Sequence, residues 1–268
     1  MYQTIEEQAE RVRDRIDTSV RFQAEDAMEL NKRFEGHDTV EMLQTLLREQ
    51  LAGKVAVVSS FGAESAVLLH LVSQVDPSVP VLFLNTGKHF PETLAYRDAL
   101  VERLGLTDVR DLTPDADELA KRDENGLRWS FDPDGCCDIR KVKPLAKALA
   151  GFDASITGRK AFQASTRASL PRFEIDITDV AGRLKINPLI DWSAERIAAY
   201  VAQHGLPPHP LVAEGYPSIG CSPCTSKVAP GEDPRSGRWK GWDKTECGIH
   251  VGGASDVSDL PPGYDPVF

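Results

Sequence analysis

The chain has 268 residues, 41% hydrophobic and 27% charged, enough to bury the core of one large domain. Its net charge of −10 argues against nonspecific binding to nucleic acid or an anionic membrane, and no apolar run approaches the ~20 residues of a membrane span. The acidic, polar start and five cysteines read as reduced thiols set the expectation of a soluble, cytoplasmic protein.

Residues 1–50 read as a helical segment packed on the main domain, with apolar positions at helical spacing over 24–30 and 40–47. Residues 51–205 then alternate short apolar runs with amphipathic stretches. Strands are predicted at 55–60, 79–84, 109–112 and 154–157, and helices at 65–74, 91–104 and 139–149, with Pro91 suited to a first helical turn. Such alternation predicts an α/β fold, a doubly wound and mostly parallel sheet. Runs at 173–178 and 183–190 read as a hairpin-like pair through Val180, Ala181 and Gly182, and Ser193 as the cap of a helix reaching His204. Residues 206–268 are rich in Pro and Gly and read as a loop-dominated segment draped over the strand ends, still within one domain overall.

Ligands of such sheets bind beyond the carboxyl ends of the strands. Those ends supply Ser60, Phe61 and Gly62, then Leu84, Thr86 and Gly87 with Lys88 and His89 behind them, then Gly158. The first loop offers hydroxyls, a glycine and the N–H groups of a helix start, which together suit phosphate or sulfate, and it lacks the Walker pattern. Basic residues concentrate at 140–143, 159–172 and 235–244, so an acidic chain carries local sites for a small anion.

The cysteines fall as an adjacent pair, Cys136 and Cys137, a C-x-x-C at Cys221 and Cys224, and a lone Cys247. Adjacent cysteines rarely bond to each other, and the spacing does not suit a disulfide framework. Two half-sites of one metal centre fit better. Zinc usually takes C-x(2–4)-C knuckles, which the adjacent pair is not, so iron–sulfur leads zinc, with four buried free thiols as the plain alternative. Cys247 follows Arg235, Arg238, Lys240 and Lys244 in a Gly-rich tail, an electropositive setting in which a thiol ionises and attacks; a lone cysteine near the end of a chain is otherwise often incidental.

These segments resemble the adenylyl-sulfate reductase family. The likeness rests on Ser60-Phe61-Gly62-Ala63-Glu64-Ser65, on 85–93 (NTGKHFPET), on 136–145 (CCDIRKVKPL), on 187–192 (NPLIDW), on Cys221-Ser222-Pro223-Cys224-Thr225 and on Glu246-Cys247-Gly248-Ile249-His250. The resemblance implies an adenine nucleotide alpha hydrolase-like fold with a modified PP-loop. It implies reduction of adenosine 5'-phosphosulfate to sulfite with thioredoxin, a 4Fe-4S cluster on Cys136, Cys137, Cys221 and Cys224, and a nucleophile at Cys247. By the same likeness Lys141 lies between the cluster and the bound sulfate, and Arg167, Arg235, Arg238 and His250 contact the phosphosulfate. The loop after Gly158 departs from the family pattern, and residues 1–50 carry no motif. The rivals are a reductase of the 3'-phosphorylated substrate and a non-catalytic, zinc-stabilised nucleotide-binding module. A homo-oligomer is open.

Overall fold

In the computed structural model, the structure describes residues 21–249 apart from Thr178 and Val180. Five strands run parallel, β1 (Val55–Ser59), β2 (Val81–Leu84), β3 (Val109–Leu112), β4 (Ala154–Thr157) and β6 (Leu184–Ile186), with β3 at one edge of the sheet and β5 (Phe173–Ile175), antiparallel, at the other. The order is β3-β2-β1-β4-β6-β5.

Alternate side chains of each strand point to opposite faces, and both faces are apolar here. Val57, Val81, Phe83, Ala154 and Ile156 join one core with Leu69 and Val72 of α3 (Ser65–Ser73) and Leu100 of α4 (Pro91–Leu104). That core continues into Leu30 of α1 (Ala24–Arg33) and Met42, Leu43 and Leu46 of α2 (Thr39–Arg48). On the opposite face Ala56, Leu82 and Leu84 meet Leu145 and Leu149 of α7 (Lys143–Leu149). Helices therefore cover both faces, as a buried parallel sheet requires.

Local chemistry sets the element ends. Asp38 accepts the Val40 N–H ahead of α2, Pro91 opens α4 and Gly105 closes it in the left-handed conformation (φ 63°), and Ser193 accepts the Arg196 N–H at the start of α8 (Ala194–Gln203). The predicted hairpin strands are longer than the observed ones. β6 stops at Ile186 because the buried Asn187 amide bonds the Thr157 hydroxyl and the Pro171 carbonyl, and Pro188 brings no N–H to extend the ladder. The helix predicted at 139–149 begins earlier, as α6 (Pro133–Cys137), and passes through a π turn at Asp138–Val142 before α7. A helix absent from the sequence reading, α5 (Ala116–Arg122), follows β3 and is capped by Asp115. Among the described residues no helix is long and apolar enough to cross a membrane.

Candidate active site

The chain leaves β1 toward β2 and β4 toward β6, in opposite directions along the sheet, and this divergence opens a crevice at the strand ends. The crevice is a cavity of about 430 Å³, the size class of nucleotide-like ligands. Ser60, Gly62, Leu84, Lys141, Gly158, Arg167, Arg235, Arg238 and Cys247 all line it, brought together from five stretches of chain.

Three other predicted positions lie outside its wall. Phe61 sits beneath the first loop in the left-handed region (φ 47°), fully buried and edge-on to Phe83, with its N–H donating to Ser59 Oγ. Thr86 is buried on the thiol side, its Oγ1 3.3 Å from Cys221 Sγ and its carbonyl accepting from Arg140 Nη1 at 2.8 Å. Gly87 turns there with φ 70°. His250 lies outside the described residues.

Among the cavity's basic residues, most are already paired. Arg159 pairs with Glu174, Lys160 Nζ stands 2.8 Å from Glu64 Oε2, and Arg167 Nη2 stands 2.6 Å from Glu246 Oε2, with Arg235 at 3.6 Å from the same oxygen. Burial opposes a charge on Glu246, yet Arg167, Arg235 and Thr166 together hold its carboxyl below the ordinary carboxylate range. Lys141 and Arg238 have no carboxylate partner among the described residues. Burial disfavours the Lys141 ammonium, but the sulfurs of Cys221, Cys247 and Cys137 outweigh it and hold its pKa above the usual lysine value. A hydrogen bond from Cys137, then Lys141, the Ile249 N–H and Arg238, prevail over burial and hold the Cys247 thiol well below its ordinary value.

Sequence reasoning missed several cavity residues. Trp239 is buried, holds φ 48° and lies under the Arg238 guanidinium, 4.5 Å from its ring centroid; its Nε1 is a buried donor with no partner among the described residues. The only sequence signal was an aromatic among cations. Glu64, Gln163 and Glu246 carried no signal of their own, because their roles depend on contacts across the chain. His89, named from the sequence, donates from Nε2 to the Leu84 carbonyl at 2.8 Å, and burial lowers its pKa.

Behind Lys141, Cys136, Cys137, Cys221 and Cys224 line a second, smaller cavity together with Arg140, Lys141 and Lys88. The π turn lets one helical run present both adjacent thiols and, four residues on, Lys141, so that this lysine borders both cavities. None of the four is in a disulfide, and burial pushes the Cys136 thiol up to about 11. Clustered thiols, three of them buried, of which Cys136, Cys137 and Cys224 resist ionisation, are donor chemistry suited to a thiophilic metal centre, whose positive charge would stabilise the thiolates. Among the described residues no three His, Cys, Asp or Glu side chains are grouped to hold an ion as they stand, and Cys137 hydrogen-bonds Cys247 instead.

The phosphoadenosine phosphosulfate reductase domain matches residues 54–227. An adenosine 5'-phosphosulfate reductase of Mesorhizobium japonicum is 53% identical over 214 residues, 80% of this chain and 83% of its own length. One from Chelativorans sp. is 50% identical over 236 residues, 87% of this chain and 94% of its own. Among solved structures, the phosphoadenylyl-sulfate reductase of Candida auris has a TM-score of 0.62 at 26% identity, covering 78% of this chain and 100% of its own. An FMN adenylyltransferase of Candida glabrata, 14% identical with a TM-score of 0.50 over 79% of this chain and 76% of its own, shares the fold alone. With its strand-end crevice and its match over residues 54–227, the chain belongs to the phosphoadenosine phosphosulfate reductase domain family.

Proposed function

We propose that this protein reduces adenosine 5'-phosphosulfate to sulfite and AMP in assimilatory sulfate reduction, with thioredoxin as the electron donor. One observation carries the reading: the Cys247 thiol, Lys141 and Arg238 share one cavity, and four further thiols stand directly behind Lys141. The names of the bacterial relatives support the unphosphorylated substrate.

In this mechanism the Cys247 thiolate attacks the sulfate sulfur, the bond from sulfur to the bridging oxygen breaks, and AMP leaves with that electron pair. The enzyme is left as an S-sulfocysteine. A thiolate approaching a polyanion meets strong Coulomb repulsion, so the charges of Lys141 and Arg238 act on both binding and turnover. A thioredoxin thiolate then attacks the Cys247 sulfur, sulfite leaves, and the mixed disulfide is resolved by the second thiol of thioredoxin. Cys136, Cys137, Cys221 and Cys224 would hold a 4Fe-4S cluster, which would supply a fixed electrostatic centre and tie the π-turn helix to the C-terminal segment.

The test is anaerobic purification followed by visible absorption, iron and sulfide analysis, and intact mass after addition of adenosine 5'-phosphosulfate. A brown protein that gains one sulfonate on Cys247 supports the reading; a colourless zinc protein without an adduct overturns it. Stronger inhibition by adenosine 3',5'-bisphosphate than by AMP would instead identify the 3'-phosphorylated substrate.

A further inference from the structure

The residue before the candidate nucleophile makes polar contacts with three residues. Glu246 is buried, and it receives Arg167 Nε at 2.7 Å on one carboxylate oxygen and Arg167 Nη2 at 2.6 Å on the other. Thr166 Oγ1 adds a third donor at 3.2 Å. This two-pronged geometry fixes direction as well as distance. Arg235 approaches the same carboxylate at 3.6 Å and donates from Nη2 to the Thr245 carbonyl at 2.8 Å, so two successive tail residues are held by one guanidinium.

The clasp reaches the loop after β1. Arg167 Nη1 donates to Gln163 Oε1 at 2.7 Å, and Gln163 Nε2 donates to Glu64 Oε2 at 2.7 Å, in the loop after β1. On the far side of Cys247 the backbone of Gly248 lies so close to the π-turn helix that a Cβ there would sit 3.2 Å from Val142 Cγ2, and Ile249 packs against the core cluster that contains Leu84 and Leu145. Cys247 is thus held between a charged clasp and an apolar seat.

We infer that Glu246 is a positioning residue: its bidentate pairing with Arg167, aided by Arg235, seats the Cys247 segment over the crevice and leaves Lys141 and Arg238 as the cations open to the substrate anion. The inference rests on the reductase reading for its kinetic consequence, though the clasp itself can be tested without turnover. The competing idea is that Glu246 is a plug, an internal anion that substrate must displace from Arg167 and Arg235.

Glu246→Gln and Glu246→Ala are compared with the wild-type protein, each purified anaerobically with its native metal content checked. Without substrate, tryptic cleavage after Lys244 should be at least about tenfold faster in both variants, as expected for loss of charge-assisted hydrogen bonds. Arg167→Lys, which keeps the charge but not the fork, should reproduce most of that change. With adenosine 5'-phosphosulfate, single-turnover sulfonation of Cys247 should slow by about tenfold or more while substrate Kd moves by less than about threefold. Unchanged proteolysis in both Glu246 variants would overturn the clasp. Tighter substrate binding with an undiminished sulfonation rate would overturn it in favour of the plug. If the wild-type protein takes up no sulfonate, the reductase reading fails while the proteolysis comparison still decides the clasp.

Discussion

Arg140 and Asp123 form a buried ion pair, with Nη2 2.6 Å from Oδ2 and side chains only 9% and 1% exposed. The guanidinium also donates to the Thr86 carbonyl, and Thr86 Oγ1 lies against Cys221 Sγ. One arginine therefore joins the end of α5, the turn after β2 and the thiol cavity.

Removing one member of such a pair leaves a charge buried without compensation. Asp123→Asn should destabilise the fold by about 3 kcal/mol, and pairing it with Arg140→Met should recover much of the loss. Denaturant unfolding of the four proteins of this double-mutant cycle measures both effects; equal loss in the single and double variants would contradict the buried-charge argument.

Lys141 and Arg238 line the cavity without a carboxylate partner among the described residues, so their removal should fall on the chemical step. Lys141→Met is expected to lower kcat/KM for adenosine 5'-phosphosulfate by about 10²–10³-fold, with Arg238→Ala weakening both kcat and KM. Iron content measured alongside separates lost charge neutralisation from a lost metal centre.

His209 gives a pH dependence with a definite sign. Burial lowers its pKa to about 4, against a smaller opposing pull from Glu92. Its Nδ1 accepts the Leu211 N–H at the start of α9 (Pro210–Ala213), and its Nε2 stands 3.0 Å from Thr93 Oγ1. The folded state resists protonation while the unfolded chain takes a proton near pH 6.5, so this contribution to stability is complete above that pH and lost as pH falls toward 4. Unfolding free energies between pH 7 and pH 4 should decline less steeply in His209→Gln than in the wild-type protein, and parallel declines would refute the assignment.

Much of this protein is legible from its residues in order. Apolar runs such as Val55–Ser59 and Val81–Leu84 announce buried parallel strands, and Pro91 and Ser193 mark helix starts by local stereochemistry alone. The cysteine spacing points to a metal centre and the clustered cations to an anion site, and the family resemblance implies that the two lie side by side. Charge pairing was not legible. Which of Arg159, Lys160, Arg167, Arg235 and Arg238 stays open depends on carboxylates far away along the chain, and only folding brings Glu174, Glu64 and Glu246 to them. Phe61 reads as a loop residue beside Gly62, yet its apolar ring finds Phe83 below the sheet end, since burial of an aromatic outweighs the cost of a positive φ. Sequence determines which chemistries are available; the tertiary structure decides which charges are already neutralised, because electrostatic partners are set by distance in space and not by distance along the chain.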